Sequence, residues 1–104
     1  MSPRRNGTMH VGICRLWLDM PENASLKDKR QILRSVIQRV RNRFEVAIAE
    51  VDAQDQWTRA CLGVAVVSGD AQHANEVLSK VVAYIQESRL DAELFDYELE
   101  VQPF

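Results

Sequence analysis

The sequence predicts a single α+β domain in which a four-stranded antiparallel sheet carries two helices on one face, in the order βαββαβ. Three features of the chain carry this expectation. Apolar residues alternate with period two in separated stretches and recur at helical spacing in two others. The six stretches follow one another as strand, helix, strand, strand, helix, strand. At 104 residues, with 46% hydrophobic and 27% charged content, the chain can bury one core but not two.

Each βα unit must cross over right-handed to return to the same sheet, which places both helices on one face and leaves the other uncovered. That arrangement is the ferredoxin-like sandwich. Its strand order, 4-1-3-2, makes strands one and three central, and these are the two strands that are apolar on both faces.

Residues 1–8, MSPRRNGT, combine Pro, Gly, Asn and two arginines without periodicity and read as a flexible N-terminal extension. The domain then occupies residues 9–104. From Met9 to Met20 the pattern alternates, with Cys14, Leu16, Leu18 and Met20 on one face and Val11, Ile13, Arg15, Trp17 and Asp19 on the other. Pro21 to Ala24 break this first strand. Ser25 stands where a helix N-cap belongs, with Asp28 three positions on as a short version of the capping box. A helix follows to about Arg43, its stripe formed by Leu26, Leu33, Val36, Ile37, Val40 and Phe44.

Glu45 to Val51 reads as a short strand bounded by the polar turn Asp52 to Gln56, so a hairpin is expected. Trp57 to Ser68 is the third strand, in which Ala60, Leu62, Val64 and Val66 alternate with Arg59, Cys61, Gly63, Ala65 and Val67. Gly69 and Asp70 supply a turn and a second N-cap. Ala74, Val77, Leu78, Val81 and Ile85 then carry a helical stripe as far as about Leu90. In the last strand, Ala92 to Val101, Phe95, Tyr97, Leu99 and Val101 alternate with Leu94, Asp96, Glu98 and Glu100. The acidic positions protect an edge from pairing with other chains.

Composition narrows the function. The longest apolar runs fall short of a membrane span and the start lacks the apolar core of a secretory signal, so a cytoplasmic protein with no membrane partner is expected. Cys14 and Cys61 are the only cysteines, each inside an apolar strand, and read as reduced core thiols. His10 and His73 offer no paired zinc-type spacing, so no metal site is expected, and no cofactor motif is present. Net charge is −2, yet residues 1–43 hold ten Lys or Arg against three Asp or Glu, whereas residues 44–104 hold three against twelve. The halves therefore carry +7 and −9.

The segments MHVGICRLWL, SLKDKRQILRS, RNRFEVAIAEVDAQDQW and RACLGVAVVSGD together resemble the YlxP-like family, a bacterial family of unknown function. The resemblance runs from Met9 to about Ile85, with SLKDKR and the stretch from AEV to QDQW the most distinctive. It implies the ferredoxin-like fold and a bacterial cytoplasmic setting, and it supplies no catalytic residues. Members of the family lie in gene neighbourhoods concerned with translation and ribosome maturation, which implies an RNA-related role. The residues 1–8 extension falls outside the resemblance.

The first helix is the strongest candidate site. Lys27, Lys29, Arg30, Arg34, Arg39, Arg41 and Arg43 stand against Asp28 alone, a net of +6 over seventeen residues. Such density attracts the phosphates of RNA, reading backbone and not sequence. The same residues also read as a solvated polar face with arginines paired to acids of the second half. The open sheet face offers Arg15, Trp17, Arg59 and Trp57 beside Val11, Ile13 and Val67. RNA-recognition motifs stack bases on such a face, but RACLGVAVVS holds no aromatic. Burial against another copy of the chain, with Val11, Ile13 and Trp17 in a two-fold interface, accounts better for an uncovered apolar face.

Enzymatic readings are thin. Acylphosphatases share the fold but need a phosphate-cradling loop with an arginine after strand one, and MPENAS has neither glycine nor arginine. Glu50, Asp52 and Asp55 with His73 could form an acid-base group, although acidic turns are commonplace. The expectation is a nonenzymatic binding module associated with RNA or the ribosome through its first helix. The alternative is a homo-oligomeric interaction domain with an acidic protein partner.

Overall fold

The computed structural model describes residues 8–88 and 92–104, and six elements follow in the expected order. They are β1 (His10–Asp19), α1 (Leu26–Arg43), β2 (Ala47–Asp52), β3 (Arg59–Ser68), α2 (Ala71–Glu87) and β4 (Glu93–Pro103). The extension expected at residues 1–8 lies, up to residue 7, outside the described residues, as does Leu90, the expected end of α2.

The strands form one antiparallel sheet in the order β2-β3-β1-β4, the ferredoxin-like arrangement, so β1 and β3 are central and β2 and β4 are edges. Register between the central strands pairs Cys14 with Val64, Leu16 with Leu62 and Leu18 with Ala60. These side chains share the helical face and all are buried. α2 lies over β1, β3 and β4, while α1 covers β2. Leu33, Val36 and Val40 of α1 and Ala74, Leu78, Val81, Val82 and Ile85 of α2 complete the core. α2 approaches β1 so closely that a Cβ on Gly12 would lie 2.8 Å from Leu78 Cδ1.

Both helices begin on side-chain caps. Ser25 Oγ accepts from the Asp28 N–H at 3.1 Å, and Asp70 Oδ1 accepts from the Gln72 N–H at 3.0 Å. Each satisfies one of the donors that a helix start leaves open.

The uninterrupted alternation expected in β4 is corrected by a bulge. Opposite β1, Trp17 pairs with Asp96 but Leu18 pairs with Leu94, so Phe95 is the extra residue. A bulge re-aims the chain beyond it. Leu94 consequently turns to the helical face and packs on the core, while Phe95 lies under the Arg59 guanidinium, 4.8 Å from its ring centroid. A second bulge in β2 falls between Glu50 and Asp52.

Candidate nucleic-acid interface and open sheet face

Seven cations were expected on one exposed surface of α1, and the structure corrects that in two respects. Lys29 is 1% exposed, so it is not available to a ligand. Its Nζ donates to the Ala53 carbonyl at 2.6 Å and lies 2.9 Å from Glu50 Oε2. The physical reason is its position: three residues after Leu26 and four before Leu33, Lys29 falls on the stripe that faces the sheet. Ala53 holds a left-handed backbone with φ 57°, and its carbonyl also accepts from the Gln56 N–H at 3.1 Å. The ion pair thus joins the two most distinctive segments of the sequence, SLKDKR on α1 and AEV to QDQW around the β2–β3 turn. Asn23 Nδ2 ties the same end together, donating to the carbonyls of Ser25 at 2.9 Å and Trp57 at 2.6 Å.

The second correction concerns the remaining six, which are exposed but lie on two flanks. Lys27, Arg30, Arg34 and Arg41 recur at intervals of three, four and seven residues and form one stripe along the helix. Arg30, Arg34 and Arg41 wall a groove of about 380 Å³ between α1 and the edge strand β2, with Leu33, Ile37 and Ile48 in its lining. Arg41 closes one end, its Nη2 donating to the Ile48 carbonyl at 3.1 Å. Arg39 and Arg43 occupy the other flank, where the Arg43 guanidinium sits 5.0 Å from the Tyr84 ring centroid. Among the described residues Lys27, Arg30, Arg34 and Arg39 meet no carboxylate at ion-pair distance.

The open sheet face carries Val11, Ile13, Arg15 and Trp17 of β1, as expected from the alternation. Ile13 is 42% exposed, whereas Val11 and Trp17 are half-buried. Val67 and Val51 are exposed on the same face at 63% and 51%. The face has two unlike halves. Toward β2 lie Ala47, Ala49, Gly63 and Ala65, the floor of a concavity of about 760 Å³ that Arg41 and Val51 border and that Ile13, Arg15, Glu98 and Glu100 wall on its other side. Gly63 is needed there, since a Cβ would come within 2.9 Å of Val51 Cγ1. Toward β4 rise Arg15, Glu98 and Glu100, and Arg15 Nη1 donates to Glu98 Oε1 at 3.3 Å. Sequence reasoning named neither the small-residue floor nor the part of Arg41 in bordering it. Alternating Ala and Gly in AIAEV and LGVAV were the available signal, but only the register of β2 against β3 puts them side by side.

The acid-base group weighed from sequence is not assembled. Glu50 pairs with Lys29, and Asp52 Oδ1 accepts its neighbour's Ala53 N–H at 2.7 Å. His73 begins α2, at the opposite end of β3 from the turn that holds Asp55. Trp57, expected to open the third strand, lies before β3 begins at Arg59 and is 55% exposed. Cys14 and Cys61 are free thiols facing opposite sides of the sheet. Burial, and secondarily the Glu98 carboxylate, push the Cys14 thiol up to about 11, and burial raises Cys61 against the opposing pull of Arg15.

Fold and site define a small α+β domain with a cationic helical stripe and an uncovered sheet, in which no helix among the described residues is long and apolar enough to cross a membrane. The chain belongs to the family described as "Protein of unknown function (DUF503)", whose profile matches residues 11–99. It is 41% identical over 61 residues to "Uncharacterized protein YlxP" of Bacillus subtilis (strain 168), a match covering 59% of this chain and 66% of the relative. The matched stretch is thus just under two thirds of that relative's length. A solved structure, LarC2, the C-terminal domain of a cyclometallase involved in the synthesis of the NPN cofactor of lactate racemase, in apo form, superposes with a TM-score of 0.46 at 10% identity. That likeness covers 91% of this chain and 56% of the other.

Proposed function

We propose that this protein is a nonenzymatic binding module for RNA, ribosomal RNA included, which docks by the Lys27, Arg30, Arg34 and Arg41 stripe of α1. One observation carries the reading: these cations line up along one flank of an 18-residue helix, and Lys27, Arg30 and Arg34 have no carboxylate partner among the described residues. Charges left unpaired on a helix repel one another and are relieved by a polyanion, whose condensed counterions are released on binding. Arg41, held on the Ile48 carbonyl, fixes one end of the row beside the sheet edge. The implied RNA-related setting of the family points the same way.

The test is a titration of structured RNA at several salt concentrations. The wild-type affinity should fall steeply with salt. Arg30→Glu with Arg34→Glu should weaken binding at least tenfold and lower the salt slope by about one for each cation removed. Arg39→Glu, on the other flank, should change little. An Arg30/Arg34 variant with wild-type affinity rules the reading out. Copurification of an acidic protein in place of RNA would transfer the stripe to a protein partner.

A further inference from the structure

We infer that two copies of this chain pair through their open sheet faces about a two-fold axis parallel to the strands, the tall acidic half of each copy lying over the shallow half of the other. This goes beyond the RNA reading and uses the layer opposite the helices together with Arg41, the one member of the α1 stripe that reaches the sheet edge.

The open face is uneven in height and in charge, and the two gradients coincide. Its β2–β3 half is floored by Ala47, Ala49, Gly63 and Ala65 and bordered by the Arg41 guanidinium, which reaches over the β2 edge. Its β1–β4 half carries long side chains, with Arg15 beside Glu98 and Ile13 beside Glu100. A concavity of about 760 Å³ floored by small side chains leaves apolar surface wet unless larger side chains fill it.

Of the two two-fold stackings that keep the strands of both copies aligned, only one fills it. A two-fold axis lying across the strands sets β4 on β4, which opposes the Glu98 and Glu100 rows of the two copies and leaves the shallow halves facing each other across a gap. An axis parallel to the strands and passing between β3 and β1 sets β4 of one copy over β2 of the other, and β1 over β3. Levels along the strands are kept in that operation. By register, Glu100 then comes over Ala47 and Glu98 over Ala49, both beside Arg41 of the second copy. Ile13 comes over Ala65, while Arg15 comes to the level of Gly63, where Val51 of the second copy already lies against the glycine and meets the aliphatic stem of Arg15. Asp96, one step further along, falls at the level of Asp52, so the favourable contact ends there.

Tall side chains thus meet short ones, and carboxylates meet a guanidinium, twice per pair as a closed two-fold interface requires. The four-stranded face measures roughly 20 Å by 30 Å. With side-chain relief counted, it approaches the about 800 Å² per partner of a stable interface. Lys27, Arg30 and Arg34 of both copies remain outside.

The experiment is sedimentation equilibrium on the full chain, with circular dichroism as the check that each variant is folded. Wild type should sediment as a dimer. Glu100→Arg alone and Arg41→Glu alone should each weaken dimerisation tenfold or more, and the two together should restore it to within a few-fold. Ala49→Trp, which fills the shallow half from within its own chain, should also give monomer. A monomeric wild type, single variants that remain fully dimeric, or a charge-swapped pair that stays monomeric each overturns the inference. Glu100→Arg leaves Arg30 and Arg34 intact, so its RNA titration reports on the RNA reading separately.

Discussion

Lys29 shows how one residue can be misassigned by composition and correctly placed by spacing. Its charge groups it with the cations around it, but its position between Leu26 and Leu33 puts it against the sheet, where Glu50 and the Ala53 carbonyl receive it. Removing a single partner from a buried pair costs more than the pair contributes, because the charge left behind loses both water and its counterion. Lys29→Met is therefore expected to lower stability by about 2–4 kcal/mol, with Glu50 partly solvated and so not at the top of the usual range. The urea midpoint measures it, and Lys29→Met combined with Glu50→Leu should recover part of the loss. Equal midpoints for wild type and Lys29→Met would show the pair to be energetically idle. Reversing the charge of Lys29 would report on folding, not on ligand binding, which is why Arg30 and Arg34 carry the RNA test.

At the scale of the element, α1 is both a packing unit and the proposed docking surface, and its start serves the first of these. Ser25 Oγ takes the Asp28 N–H, half of the capping box expected from the sequence. Ser25→Ala is expected to cost about 1 kcal/mol, read as a lower urea midpoint with an unchanged m-value. RNA affinity in the folded state should change little, since Arg30, Arg34 and Arg41 lie beyond the first turn and only Lys27 of the stripe lies within it. An Asp at position 25 should restore the stability, as it also accepts from the backbone N–H there. The strands make a different point. In β4 the residue before Asp96 sits on the open face and the one before that on the core, so a single bulge moves Phe95 out and Leu94 in.

The whole molecule is held by one core between the sheet and its two helices, on which Cys14 reports, while Cys61 reports on the opposite face of the same sheet. Cys14 and Cys61 are buried at 5% and 0% exposure, and burial holds both as neutral thiols at ordinary pH. The thiolate is the reactive form, so alkylation of the native protein requires opening of the sheet layer. At pH 8 both thiols are expected to react orders of magnitude more slowly in buffer than in denaturing urea, at similar rates to each other. Fast labelling of either one in buffer would show that its strand opens alone. For Cys14 the sign of the pH effect follows from its raised value. The folded state favours the protonated thiol, so that contribution is complete below the usual 9.0 and is lost as pH climbs toward about 11.

Element types, their order, both helix caps and the inward faces of β1 and β3 could be read from the chain alone, because each depends on local periodicity or on a residue within four positions. The YlxP-like resemblance was legible too, although it carries no chemistry with it. What only the tertiary structure decided were facts of register and packing. These are that Lys29 is spent on Glu50, that the other cations split into two flanks, that a bulge reverses the start of β4, and that small residues of β2 and β3 meet in a shallow half-face bordered by Arg41. A strand shifted by one residue exchanges its two faces, and pairing between strands far apart in the chain is set by the collapsed core as a whole, so no local pattern could have specified it.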